Sequence, residues 1–524
     1  MQNESAIRYN HVGYTRHAPK RILVSESAAE RFKVIDAHGN PVFEGALRNC
    51  GTWRHTGERM KFGDFSVLET PGTYMVTVGD LRTEPFAIDD SWLPRAFSAA
   101  VKSYYYQRSG VALDADRAGK WARPAAHLDD KLLFHASMNR NGTRDAHGGW
   151  YDAGDYGKYI VNGGVSVATL LLALEFFKDK VADARLDEEI RFELDWFLRM
   201  QDDDGGVFFK VSPDHWDKFI APAESVEQRR IVGKSTTSTL NFAAALAQAH
   251  VVYHESDSAF AETGLKAAER AFAWALAHPD VPAPHYTEGS GPYYDTDYRD
   301  DFFWAAAMLF RATGNASYAD EFRKYLGAER ASGGLTWKHT QNLGWIALAL
   351  QTQDASLQAQ ARAELENAAE KVYAQFLASA YRIPLDDFQW GSNGMLANTA
   401  MTAAVVDLWK PSHSYRAMVS EAVDYLYGRN PVSVCFMTGA AWSSPKHPHH
   451  RISGGDGIEE PVPGFLVGGI NESREDDISR RSLGVHYPND IPGKSYLDEQ
   501  KAFAVNEVAI NWEAPLVFIL ASLL

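Results

Sequence analysis

The sequence predicts a mainly α-helical protein, an (α/α)6 toroid preceded by a small immunoglobulin-like β-sandwich, and three observations predict it. The first is a change of pattern near residue 90, from short alternating apolar stretches to apolar residues at helical spacing. The second is that several helical segments are apolar on more than one face, as helices packed on both sides must be. The third is the lack of any repeat of fixed period, which counts against an extended solenoid. At 524 residues the chain is long for one domain, in keeping with a sandwich over 1–90 and a helical domain over 91–524.

Before residue 88, the stretches RILVSES, RFKVIDA, FSVLET, TYMVTVG and EPFAID are separated by turn signals such as HGNP and TPGT. Strands this short and closely spaced suit a sandwich. The stretch DDSWLPR marks the boundary, with Pro94 as a helix-start residue. Helical spacing then recurs over 94–110, 160–178, 186–201, 236–254, 260–278, 299–314, 318–326, 341–353, 356–379, 395–410, 415–428 and 503–523. The segments TLNFAAALAQAHVVY and DDFFWAAAMLFRATG are the ones apolar on several faces. Twelve helices alternating between inner and outer positions make a toroid. The run from Arg429 to Gln500 breaks the helical rule and is rich in Gly, Pro, His and Asp. Its length, its Trp and His content and its place before the last helix favour a functional loop.

Composition removes several classes. A net charge of −16 repels phosphate backbones and anionic membranes, so neither nucleic acid nor membrane is expected as a partner. The two cysteines, Cys50 and Cys435, rule out a disulfide scaffold and a Cys-rich zinc site, and no metal-ligand set is identified. No apolar run free of charges reaches membrane-spanning length. The N-terminal residues lack the basic start and apolar core of a leader. The chain as it stands therefore reads as cytoplasmic, and as secreted or periplasmic if a leader was removed. With 14 Trp, 23 Tyr and 27 Phe there are rings enough for large cores and for a cleft that stacks on sugars or bases. Nothing in the sequence speaks to oligomeric state.

Three segments carry chemistry. GGWYDAGDYGKYIVNGG, residues 148–164, places Asp152 and Asp155 three apart among Trp150, Tyr151, Tyr156 and Tyr159, opening onto a helix. Acids near a helix start are commonly caps; here glycines allow a close backbone approach and the rings offer a platform. The positive helix end would keep both acids ionised, as a base that activates water requires. In YLDEQKAFAVNEVAINWEAPL, residues 496–516, Glu507 lies in the last predicted helix among Phe503, Val505, Val508 and Ile510. Helix glutamates are mostly solvated, but apolar surroundings would raise this one's pKa and let it donate a proton. The third segment, SSPKHPHHR, residues 443–451, sets His449 and Arg451 in an irregular loop, for direct contacts to sugar hydroxyls or as plain surface.

Together these segments resemble the glycoside hydrolases of family 9, the cellulase-like group, in its members with an N-terminal immunoglobulin-like domain. The resemblance spans nearly the whole chain. GGWYDAGDYGKY is similar to the family's base motif, which implies Asp155 as general base and Asp152 as a residue holding the attacking water. YGRNPVSVCFMTGAAWSSPKHPHHR resembles a second motif, which implies substrate contacts for His449 and Arg451. Tyr496, Asp498, Phe503 and Glu507 fall on a third, which implies Glu507 as proton donor and substrate contacts at Tyr496 and Asp498, with Trp150 and Tyr151 beside the base. The family's toroid also accounts for twelve helices. One departure is Glu513, where that motif carries Asn. Facing the cleft it would add negative charge and favour an amino sugar; facing solvent, the reading we favour from sequence, it would have no role. Relatives bind calcium, so a structural calcium is allowed with ligands the sequence does not place, and no other cofactor is implied.

The resemblance implies inverting hydrolysis of β-1,4-glycosidic bonds in glucan or cello-oligosaccharides, with acid and base about 6.5–9.5 Å apart to admit a water. Two alternatives stand beside it. One is an exo-acting β-glucosidase or exo-β-D-glucosaminidase on imported cello- or chitosan-oligosaccharides. The other is a non-catalytic carbohydrate-binding protein that keeps the toroid without the chemistry, against which the retained acids argue.

Overall fold

A computed structural model describes residues 6–479 and 484–524. The stretches 1–5 and 480–483, the latter inside the long irregular run, lie outside the described residues.

Nine strands, Ile7–Arg8 (β1), Gly13–Tyr14 (β2), Arg21–Ser25 (β3), Arg31–Asp36 (β4), Pro41–Thr52 (β5), Arg59–Asp64 (β6), Gly72–Val78 (β7), Leu81–Arg82 (β8) and Phe86–Ile88 (β9), build the N-terminal domain. Their order is β1-β3-β6-β5-β4-β7-β9-β2, with β8 on β7. The first half of β5 pairs with β4 and its second half with β6, with register shifts in both ladders, so this one strand passes from layer to layer. Side chains from both layers, among them Ile22, Val24, Phe32, Val34, Leu47, Val76 and Phe86, close one core. Strand β4 shows why: Phe32 and Val34 are buried while Arg31 and Lys33 are exposed, the alternation of a half-buried strand.

Among the described residues the helical domain has the twelve helices the periodicity predicts, with the last one changed, besides the short turns Ala115–Ala118 (α2) and Arg451–Gly455 (α13). Six are buried around almost their whole circumference: Ile160–Val181 (α3), Thr236–Tyr253 (α5), Arg299–Thr313 (α7), Gln341–Leu350 (α9), Ser392–Asp407 (α11) and Ile510–Leu523 (α15). Their contacts run α3 to α5 to α7 to α9 and, from the other side, α3 to α15 to α11. The outer helix Ala355–Ala378 (α10) touches both α9 and α11 and closes the ring. Trp92–Gln107 (α1), Leu186–Met200 (α4), Ser258–Ala277 (α6), Ala316–Phe322 (α8) and His413–Leu426 (α12) fill the other outer positions. This is the (α/α)6 toroid; the inner helices bury all faces because each is packed on two sides. One inner helix, Ile160–Val181, is long and apolar enough to cross a membrane by composition, but 89% of its apolar window is buried inside the protein.

Three features differ from the sequence reading. A five-stranded sheet, Thr143–Arg144 (β11), Leu132–Phe134 (β10), Arg229–Lys234 (β14), Phe208–Pro213 (β13) and Lys158–Tyr159 (β12) in that order, lies inside the helical domain. It went unseen because β13, FFKVSP, is buried at every position and shows no alternation. The predicted helix 503–523 is interrupted: a single turn, Phe503–Asn506 (α14), is followed by an extended Glu507 with ψ of 156°, and α15 begins only at Ile510. The acids Asp152 and Asp155 precede α3 by several residues and are not in its first turn.

The sandwich is seated on the toroid by specific contacts. Trp53 packs its ring 4.5 Å from Tyr381 and 5.5 Å from Phe388. His55 lies between two carboxylates, Nδ1 2.6 Å from Glu472 and Nε2 3.0 Å from Asp386, and its carbonyl accepts from Gly493 N–H. Asn10 donates to Asp424, and Arg21 pairs with the fully buried Glu421.

Candidate active site

The loop 146–157 is held from below by one buried ion cluster. Asp129, itself at φ 54°, accepts from Arg229 Nε at 2.9 Å and lies 2.7 Å from Lys158 Nζ. The two cations spend their remaining donors on the loop's backbone: Arg229 on the Tyr156 carbonyl, Lys158 on those of Ala146 and Gly148. Asp129 is held down to about 2 by these partners against the opposing effect of burial. Charges this deeply buried persist because every one is paired and hydrogen-bonded.

Asp152 is buried, accepting from Asn162 Nδ2 at 2.8 Å and from Tyr293 Oη at 2.7 Å. Burial, with the neighbouring Asp155 adding to it, pushes Asp152 up to about 7, against the pull of its two donors. The expectation that both acids stay ionised at a helix end is therefore corrected for Asp152, since the helix begins too far along the chain to supply that field. Asp155 is 7% exposed and accepts from Gly157 N–H.

The structure brings Glu507 to the same place. Its backbone runs beside His449 and accepts from Gly468 N–H, and the carbonyl of the preceding Asn506 accepts from His449 N–H. Burial raises this carboxyl well above its ordinary value, Asp155 and Asp152 raise it further, and Arg451 opposes them. Glu507 is thus a proton holder beside the loop of the two aspartates, though on an extended segment and not on a helix. The approach is very close: a Cβ on Gly154 would lie 2.1 Å from the His449 carbonyl oxygen, so only glycine fits.

The other sequence-predicted residues divide. His449 is half-buried, its Nδ1 2.7 Å from the Gln500 carbonyl, its ring edge-on to Phe219 and Phe503. A carbonyl only accepts, so Nδ1 carries the proton and Nε2 is the remaining acceptor. Burial first, and then Arg451, lower His449 to about 4, keeping it neutral. Arg451 gives its backbone N–H and Nη1 to the Gly154 carbonyl and its Nε to that of Asp217, so it anchors the aspartate loop. Trp150 and Tyr151 are 1% and 0% exposed and are not a sugar platform; they pack beneath the loop, on Tyr104 and His127. Tyr496 is buried too and donates to Asn506, while Asp498 accepts from Lys446, His447 and Asn506. Both act as braces for the segment carrying Glu507. Burial drove these corrections, because a motif places residues along the chain without saying which side of a loop they face.

Glu513 meets neither expectation. It is 2% exposed, facing neither solvent nor cleft; Oε2 accepts from Leu466 N–H and Oε1 has no partner among the described residues. With no cation beside it, burial raises its carboxyl well above the ordinary 4.5.

Sequence reading missed Asn162, Tyr293 and Asp129, and two exposed rings. Trp216 is 45% exposed beside Arg451, and Trp390 is 39% exposed beside Phe503. Asn162, a polar residue within the apolar run YIVNGG, was the one available signal. For metal, the described residues offer one cluster, the buried Asp295, Asp300 and Asp301 at the start of α7.

The model of glycosyl hydrolase family 9 matches residues 94–520, and that of the cellulase N-terminal Ig-like domain matches 2–83. The chain belongs to glycosyl hydrolase family 9. A xyloglucan-specific endo-β-1,4-glucanase of Bacteroides ovatus is 35% identical over 99% of this chain and 93% of its own length. A cellodextrinase of Butyrivibrio fibrisolvens is 29% identical over 98% and 99%. Among solved structures, an endoglucanase of Alicyclobacillus acidocaldarius superposes with a TM-score of 0.91 at 31% identity, covering 99% of both chains. This family 9 enzyme is an inverting hydrolase of β-1,4-glucan bonds.

Two expectations follow. Gly154→Ala forces the loop off His449 and displaces both acids, so kcat should fall by about 100-fold or more, since misplacement of about 1 Å costs that much; steady-state kinetics read it. Glu513→Gln keeps an acceptor for Leu466 and removes a titration. A carboxyl whose native pKa is raised contributes its full stability below the unfolded value of 4.5 and loses it as pH rises toward the native one. The variant's Tm should match the parent's at acid pH and exceed it at pH about 8. A parent Tm profile as flat as the variant's would contradict the buried, protonated state.

Proposed function

We propose that the protein is an endo-acting β-1,4-glucanase in which Glu507 is the general acid, Asp155 the general base, and Asp152 a holder of the attacking water. One observation carries this reading. The segment of Glu507 is bridged to His449, whose carbonyl lies hard against Gly154, the residue next to Asp155, and Asp155 is among the charges that raise the Glu507 carboxyl. Acid and base thus belong to one groove. Glu507 gives its proton to the glycosidic oxygen as that bond breaks. Asp155 takes a proton from water, whose oxygen attacks the anomeric carbon from the opposite face. His449 Nε2 is placed to accept from a sugar hydroxyl, and the exposed rings of Trp216 and Trp390 offer flat apolar faces to sugar rings. The endo reading draws support from the Bacteroides ovatus relative, described as an endo-β-1,4-glucanase specific for xyloglucan.

We further propose that Asp295, Asp300 and Asp301 hold a structural calcium. The three carboxylates are buried and make no ion pair among the described residues; burial first, and then the neighbouring acids, push Asp300 up to about 6 and Asp301 well above its ordinary value. The buried Oδ1 of Asn241, whose amide bonds Asp301, also lacks a partner. Hard oxygen ligands of this kind suit calcium.

Asp155→Ala and Glu507→Ala should each lower kcat by more than about 1,000-fold with little change in Tm, while NMR of the parent's products shows the α-anomer appearing first. Near-parental turnover in either variant would end the assignment, and glucose as the initial product from cellotetraose would favour exo action. A chelator should lower the Tm of the parent and leave an Asp301→Asn variant unmoved; equal Tm with and without chelator in the parent would remove the calcium.

A further inference from the structure

Strand β13 carries a lysine that the reaction as described does not use. Lys210 is 0% exposed, and its ammonium donates to the Tyr286 carbonyl at 2.8 Å and the Gly291 carbonyl at 3.1 Å. Among the described residues it makes no salt bridge. Its stem and head lie among the rings of Tyr159, Phe209 and Tyr286. A buried ammonium bound only by carbonyls is an expensive way to hold a loop, since a neutral donor would serve.

The loop it holds reaches the aspartates. Residues 286–291 are also tied down by Tyr159 Oη on the Gly291 carbonyl, by Tyr286 Oη on the Pro213 carbonyl, and by Ser290 on Ser212. A Cβ on Gly289 would lie 1.9 Å from the Pro213 oxygen, so the loop lies directly on β13. Two residues beyond Gly291, Tyr293 donates to Asp152. Lys210 therefore sits at the root of the contact that orients Asp152. The charged groups facing it are Asp155 and Asp152 from the loop before α3 and Glu288 from the loop it binds. Tyr159, Tyr286 and Tyr293 line the same space, and Glu507 acts on the aspartates from across the groove. Burial lowers Lys210 to about 7 while the three acids push it back up, so the ammonium is charged throughout the acidic range.

We propose that Lys210 is a positioning residue for the hydrolysis: it fixes the loop that brings Tyr293 to Asp152, and its charge sets how far into acid Asp152 still accepts from the attacking water. This rests on Asp155 as the general base. Without the ammonium Asp152 takes up its proton at higher pH, so the attacking water loses its holder sooner on acidification.

The test is the pH profile of kcat/KM on a soluble β-1,4-glucan for Lys210→Met, Lys210→Arg and the parent, with Tm recorded for each. Lys210→Met should move the acidic limb up by about one pH unit, and Lys210→Arg should return it to within about 0.3 of the parent even if kcat falls. Should Lys210→Met fail to fold, Lys210→Gln keeps one carbonyl contact without the charge and should show the same shift. A loss of kcat with the limb unmoved in the neutral variant, or an equal shift in Lys210→Arg, overturns the proposal. Asp155→Ala separates the two ideas. If it is inactive while the Lys210→Met limb stays put, only the role of Lys210 fails; if it retains the parent's rate, the base assignment fails first.

Discussion

The structure depends on one steric constraint, the contact of the Gly154 backbone with His449. No side chain fits between them. At that point the loop of the aspartates, the histidine–arginine loop and the segment of Glu507 come together through main-chain groups. Gly154 offers its carbonyl to the Arg451 N–H, and His449 gives its N–H to the carbonyl of Asn506, next to Glu507. Three segments from distant parts of the sequence are thus registered by backbone atoms, which have no rotamers to lose. This kind of placement holds reacting groups to the tolerance catalysis needs.

Around that contact the carboxyl groups are sorted by environment. Glu507 is raised by burial and by Asp155 and Asp152, with Arg451 opposing them. Asp152 is balanced near neutrality by two donors against burial. Asp129, equally buried, is fully ionised because Arg229 and Lys158 face it. The same side-chain chemistry thus yields two carboxyls raised toward the protonated form and one structural anion. What differs is the partner each one meets.

The toroid was legible because its inner helices are apolar all round and its outer ones are not, a difference written directly into residue spacing. The small sheet was not, since a strand buried on both faces looks like any short apolar run. Within the site, Asp152, Asp155 and Glu507 stood out by their glycine-rich and apolar settings. The break at Glu507 escaped notice because Phe503, Val505, Val508 and Ile510 continue a helical apolar pattern through an extended residue. Trp150 and Tyr151 were misplaced for a related reason: a ring beside a catalytic loop is as useful beneath it as above it. Tyr293 and Lys210 reach the aspartates only through folding, with 131 residues separating Tyr293 from Asn162, its neighbour on Asp152.

The seating of the sandwich has a consequence for how this architecture can vary. Trp53 and His55, in the turn that follows β5, are roofed by Tyr381, Phe388, Asp386 and Glu472. The N-terminal domain is therefore packed on the segment that links α10 to α11, and is not a passenger on a linker. Exchanging it for another module would strip cover from rings that belong to the barrel. Sequence drift in the two parts is accordingly yoked: a change in the turn at 53–55 is felt at Tyr381, Phe388 and Asp386 of the helical domain.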